Sequence, residues 1–95
     1  MYYLYMVDRI TQMKHIQNES LLLFKKKNTD YGDSFATYGP IGTIVRIGDK
    51  ISRLISVTKN GINLVKDEKI RDTLLDLHNY SAMAILLLDQ PDQLK

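Results

Sequence analysis

Eleven carboxylates supply nearly all the side-chain chemistry this chain has. There is no cysteine, which excludes a disulfide framework, a thiolate zinc site and a cysteine nucleophile. Two histidines, His15 and His78, are too few for a histidine-rich metal centre. A metal would be held by oxygen, and oxygen ligands favour Mg²⁺, Mn²⁺ or Ca²⁺ over Zn²⁺. No glycine-rich phosphate loop, GxSxG elbow or HExxH pair occurs.

Spacing sorts these acids. Glu68, Asp72 and Asp76 recur at four-residue steps. On a helix they form a winding stripe spanning about 80°. Further along, Met83, Leu86 and Leu87 fill the same sector, so the acids are expected to be partly covered. Like charges four residues apart repel and call for a cation, a proton or a metal. One reading is a solvated face partnered by Lys69 and Arg71. The other is a set of oxygen ligands. Asp49 stands among Arg46, Lys50 and Arg53. It could pair with Arg53 on an outer face, or ligate a metal while the cations meet phosphate.

Lys25-Lys26-Lys27-Asn28-Thr29-Asp30-Tyr31-Gly32-Asp33 is the densest cluster of informative residues. Its lysines either complement a helix C-terminus or bind phosphate. Tyr31 could stack on a base or pack the loop. Glu19 lies off the apolar stripe of its helix, either exposed or completing a carboxylate cluster. His15 and His78 read as structural.

Helices must position these residues. Met6, Ile10, Met13, Gln17, Leu21 and Phe24 form a stripe that predicts a helix over about Val7–Lys27. The turn formers that follow should end it, leaving a loop over 28–40 closed by Gly39-Pro40. A second helix is expected over about Ile41–Lys59, with Ile44, Ile47, Ile51, Leu54 and Ile55 on one face and Asn60-Gly61 as its stop. Residues 62–66 read as a connector. Asp67 is an N-cap candidate for a third helix reaching about Asp89, with Ile70, Leu74, Leu77, Ser81, Ala84 and Leu88 as its core stripe. The run Ser81–Leu88 is apolar almost all round. Two other helices cannot easily cover it, so the expectation is one all-α domain over 1–95, core about 7–89, completed by homodimerisation.

Ninety-five residues allow a single small domain. Residues 1–66 carry ten basic and five acidic side chains, and 67–95 carry three and six, so the net +2 hides a basic front and an acidic back. Such a split suits attraction between halves, or cations for phosphate beside carboxylates. It argues against a dedicated nucleic-acid binder. No apolar run reaches the roughly 20 residues a membrane span needs. The first residues lack the basic region of a secretory signal. A cytoplasmic protein, in a host cytoplasm if viral, is the expectation.

Three blocks in order resemble the nucleotide modification associated domain, type 1. They are Lys27-Asn28-x-Asp30-Tyr31-Gly32-Asp33, then Arg46-x-x-Asp49-Lys50-x-x-Arg53-Leu54, then Asp67-Glu68-x-x-x-Asp72-Thr73-x-x-Asp76-Leu77-x-x-Tyr80. The family is known mainly from phages, viruses and bacteria, and it is similar to the all-α nucleoside triphosphate pyrophosphohydrolases of the MazG kind. The resemblance implies a helical bundle, a dimer or dimer of dimers, that binds a nucleoside triphosphate or modified nucleotide through Mg²⁺ or Mn²⁺. It implies metal ligands at Asp49, Glu68, Asp72 and Asp76, with catalytic roles for Asp49 and Asp76. Lys27, Asn28, Tyr31, Arg46, Lys50, Arg53 and Tyr80 would surround the substrate. The EExxE pattern of the MazG helix is missing, and Arg53 stands where a second acid is expected. Fewer acids imply one metal ion in place of two, or a nucleotide-binding relative that does not hydrolyse.

Overall fold

The computed structural model describes residues 8–59 and 68–90. In chain order these form α1 (Arg9–Tyr31), a 3-10 turn (Ser34–Ala36), α2 (Gly39–Lys59) and α3 (Glu68–Leu88). The protein is a small all-α bundle, with no strand among the described residues.

Local chemistry fixes the helix ends. The Asp8 carboxylate accepts the Thr11 backbone N–H at 2.7 Å and caps α1. The expected start at Val7, the Asn60-Gly61 stop and the Asp67 cap lie outside the described residues. α1 runs on through Asn28–Tyr31, where a loop was expected. There the Thr29 hydroxyl turns back onto its own helix and donates to the Lys25 carbonyl at 2.8 Å. The helix ends at Gly32, whose φ of 61° suits glycine above all. α2 starts at Gly39, slightly before the expected Ile41. Pro40 sits in its first turn, where a missing N–H costs nothing. α3 stops one residue short of the expected Asp89.

α3 is the centre of the molecule. Among the described residues the buried apolar side chains, Ile70, Leu75, Ala84 and Leu87, all belong to it. One of its faces packs along α2, which runs antiparallel: Lys50 meets Asp76, and Arg46 meets Tyr80. Another face receives the second half of α1. There the Asn79 amide donates to the Ser20 carbonyl at 2.9 Å in a buried contact. Arg71 donates two hydrogen bonds of 2.6 Å to the Glu19 carboxylate. This bidentate geometry ties the helices in register. Glu19 is therefore a docking residue of α1, not part of a carboxylate cluster.

The helices form as periodicity predicts, but their phases differ. On α2 the line toward α3 is Thr43, Ile47, Lys50, Leu54 and Val57, while Ile44, Ile51 and Ile55 are exposed. On α3, Leu74, Ser81 and Leu88 of the expected core stripe are exposed, and Leu75, Asn79 and Leu87 are buried instead. On α1, Ile10, Met13 and Leu21 are exposed and Ser20 is buried. A stripe shows where apolar area is concentrated, and the packed partner decides which part of it is covered.

Candidate functional site

α1, the 3-10 turn, α2 and α3 line an open cavity of about 500 Å³. Its walls come from Phe24, Lys27 and Asn28 of α1, Phe35 of the turn, Tyr38, and Gly42, Thr43 and Arg46 of α2. Tyr80 and Met83 of α3 complete them. Phe24 and Phe35 meet edge to face, ring centroids 5.8 Å apart, and brace one wall. Tyr38 is 83% exposed just before α2. A Cβ at Gly42 would sit 2.8 Å from the Tyr38 Cβ, so only glycine lets this turn close so tightly. The Arg46 guanidinium lies 5.7 Å from the Tyr80 ring centroid, within cation–π range.

Cations gather at one side of this cavity. Lys27 reaches Asp76 Oδ1 at 3.0 Å, and Lys50 reaches Oδ2 at 3.1 Å. Both carboxylate oxygens of Asp76 are thereby engaged. Asp76 is 18% exposed and Lys50 only 14%, so this pair is largely removed from water. Burial pushes the Asp76 carboxyl up, but hydrogen bonds and charge from Lys27 and Lys50 outweigh it and hold the group below its ordinary value. Asp76 is thus an ionised acceptor at neutral pH, not a proton donor.

The expected site residues divide. Lys27, Asn28, Arg46, Lys50, Asp76 and Tyr80 come together at this cavity and its rim. Asp49 is exposed and accepts from Arg46 at 3.4 Å, pairing one turn back and not with Arg53. Asp72, one turn before Asp76, is exposed, as is Arg53. The side chains of Tyr31 and Glu68 lie outside the described residues. His15 and His78 are both exposed, and His78 Nδ1 lies 3.2 Å from the neighbouring Asn79 Oδ1. Among the described residues, no three His, Asp or Glu side chains gather as a metal-sized group. Both oxygens of Asp76 already accept from lysines, so a cation there would have to displace one of them.

Phe24, Phe35, Tyr38, Gly42 and Met83 were not foreseen as site residues. Tyr38-Gly39-Pro40-x-Gly42 did carry a signal: two glycines four residues from and next to an aromatic mark a tight backbone approach.

Fold and site together define an all-α bundle with a cationic, aromatic-walled pocket. The family model for nucleotide modification associated domain 1 matches residues 27–88, and the chain belongs to that family. The match covers the last residues of α1 from Lys27, the 3-10 turn, α2 and α3, and leaves the pocket-wall residue Phe24 outside it. No curated protein and no solved structure matches the chain.

Proposed function

We propose that this pocket binds a nucleotide. The observation that carries the reading is the pairing, in one cavity, of aromatic walls with cations: Phe24, Phe35, Tyr38 and Tyr80 against Lys27 and Arg46, with Lys50 behind them on Asp76. Aromatic faces stack on bases, and ammonium and guanidinium groups take phosphate. Phosphate oxygens would compete with Asp76 for the two lysines. Mg²⁺ would enter on the phosphates and meet Asp76, with Asp72 and Asp49 within a helical turn of the rim residues. When bound, it neutralises phosphate charge and lowers the pKa of a bound water.

The catalytic form of the proposal is a nucleoside triphosphate pyrophosphohydrolase. A water oxygen bonds to the α-phosphorus, the bridging bond to the β-phosphate breaks, and monophosphate and pyrophosphate leave. The family's similarity to MazG-like enzymes supports this form. A second reading, binding without hydrolysis, is favoured by one observation: both oxygens of Asp76 are already held by lysines.

Calorimetric titration with a panel of nucleoside triphosphates, with and without Mg²⁺, tests binding. The expected outcome is saturable binding weakened tenfold or more, about 1.4 kcal/mol, by the double change Lys27→Ala and Arg46→Ala. Absence of binding across the panel ends the proposal. A pyrophosphate-release assay then separates the two forms. Turnover lost on Asp76→Asn supports hydrolysis, and binding without turnover supports the second reading.

A further inference from the structure

We infer that the nucleotide this protein takes carries an apolar, ring-sized substituent on its base, and that a second cavity, between α1 and α3, holds that substituent. The inference rests on the reading of the first cavity as a nucleotide pocket. The second cavity measures about 240 Å³. Leu21, Phe24, Ala82, Met83 and Leu86 form its apolar walls. Phe24 and Met83 also line the first cavity, so the two cavities adjoin at these side chains.

The order of residues along both helices gives a ligand its direction. On α1, Lys27 lies about one turn after Phe24, and Leu21 and Gln17 lie about one and two turns before it. On α3, Tyr80 and Asp76 lie about one and two turns before Met83, and Leu86 lies about one turn beyond it. Either helix therefore leads from the Lys27–Asp76 ion pair to a shared wall residue and on into the second cavity. A substituted nucleotide has the same order: phosphate, sugar, base, substituent. With its phosphates at Lys27 and its base against Phe24 and Tyr80, the far edge of the base faces Leu21 and Leu86.

Wall chemistry and size identify the substituent. Among the described residues, no lysine, arginine, aspartate or glutamate lines the second cavity, so it is not a further phosphate site. The Asn79 amide is committed at both ends: Nδ2 donates to the Ser20 carbonyl at 2.9 Å, and Oδ1 lies 3.2 Å from His78 Nδ1. Gln17 and His78 are exposed, and their polar ends can stay in water. What the cavity offers a ligand is apolar surface. Leu21 and Leu86 are 60% and 47% exposed, and covering them with an apolar group is favourable. Pockets that hold a whole ligand run from about 300 Å³ upward, whereas about 150 Å³ lined by aliphatic and aromatic side chains suffices for benzene. At about 240 Å³ the second cavity suits one ring, held as part of a larger molecule. The adjoining cavity of about 500 Å³ has room for the rest of that molecule.

Calorimetric titration with matched pairs is the test: ATP against N6-benzyl-ATP, and dUTP against 5-phenyl-dUTP, all with Mg²⁺. In at least one pair the substituted nucleotide is expected to bind at least tenfold more tightly than its parent. Ala82→Phe fills the second cavity from an exposed position on α3. It is expected to abolish that preference, with the parent nucleotide bound within threefold of wild type and far-ultraviolet helicity unchanged. A wild type that binds the parents and shows no preference in either pair overturns the inference and leaves the nucleotide pocket standing. A preference that survives Ala82→Phe overturns the assignment to this cavity. Binding of none of the four nucleotides ends both.

Discussion

Asp76 shows how a residue can be legible in type and misread in company. Its four-residue spacing from Asp72 and Glu68 suggested acids gathered around a metal. The structure surrounds it with Lys27 from 49 positions away and Lys50 from the neighbouring helix. Both lysines were foreseen as phosphate binders, and no local pattern could reveal that a carboxylate would hold them in place. The two are not equivalent. Lys50 is 14% exposed and Lys27 is 52% exposed. Removing Lys50 leaves a largely covered carboxylate with one partner, a loss of the kind that costs about 1–3 kcal/mol. Removing Lys27 takes away a partner that water can partly replace, as for exposed ion pairs worth under about 1 kcal/mol. Lys50→Met is therefore expected to lower the urea midpoint clearly more than Lys27→Ala does. Equal losses would show that Asp76 does not distinguish its covered partner from its wet one.

At the scale of elements, three helices were legible because each carries a long apolar period, and their ends were legible to within a few residues. Capping by Asp8 was not, because it rests on one side-chain hydrogen bond, and the turn formers of Asn28–Tyr31 hid the extension of α1 to its Gly32 cap. Phase was the larger miss. Ile44, Ile51 and Ile55 form the cleanest stripe in the chain, yet α2 meets α3 through Thr43, Ile47, Lys50 and Leu54. Periodicity reports apolar area and is silent about which neighbour covers it. For the same reason Phe24, Phe35 and Tyr38 escaped notice: they come from three separate segments and share no spacing. α1 depends most on polar contacts, since Ile10 and Met13 are exposed and its docking centres on Ser20, Glu19 and Lys27. Asn79→Ala removes the buried amide that grips the Ser20 carbonyl, at about 1 kcal/mol or somewhat more. The expected consequence is local: faster amide hydrogen exchange across the second half of α1, with α2 and α3 nearly unchanged. Uniform acceleration in all three helices would mean that α1 does not open as its own unit.

For the whole molecule, the basic front and acidic back become a wiring plan. Three ion pairs join different helices: Lys27–Asp76, Lys50–Asp76 and Arg71–Glu19. Arg46–Asp49, by contrast, is local to α2. The three ties join α1 and α2 to α3, and pH should reveal their contribution. The Asp76 carboxyl is held below its ordinary value by the two lysines, despite the opposing effect of burial. The Glu19 carboxyl is likewise held low, chiefly by its hydrogen bonds to Arg71. A carboxyl that is more acidic in the folded state than in the unfolded one contributes stability above its unfolded value, near about 4. That contribution fades as pH falls through the lower folded value, because protonation then costs the native state its ion pairs. The urea midpoint should therefore be flat from about pH 7 to 5 and should fall steeply below about pH 4. Asp76→Asn should start lower at pH 7 and show a shallower fall, since its site no longer titrates. A variant whose acid slope equals that of the wild type would place the acid sensitivity in other carboxylates. Added salt should weaken the exposed Arg71–Glu19 tie more than the covered Lys50–Asp76 tie, because screening acts through water.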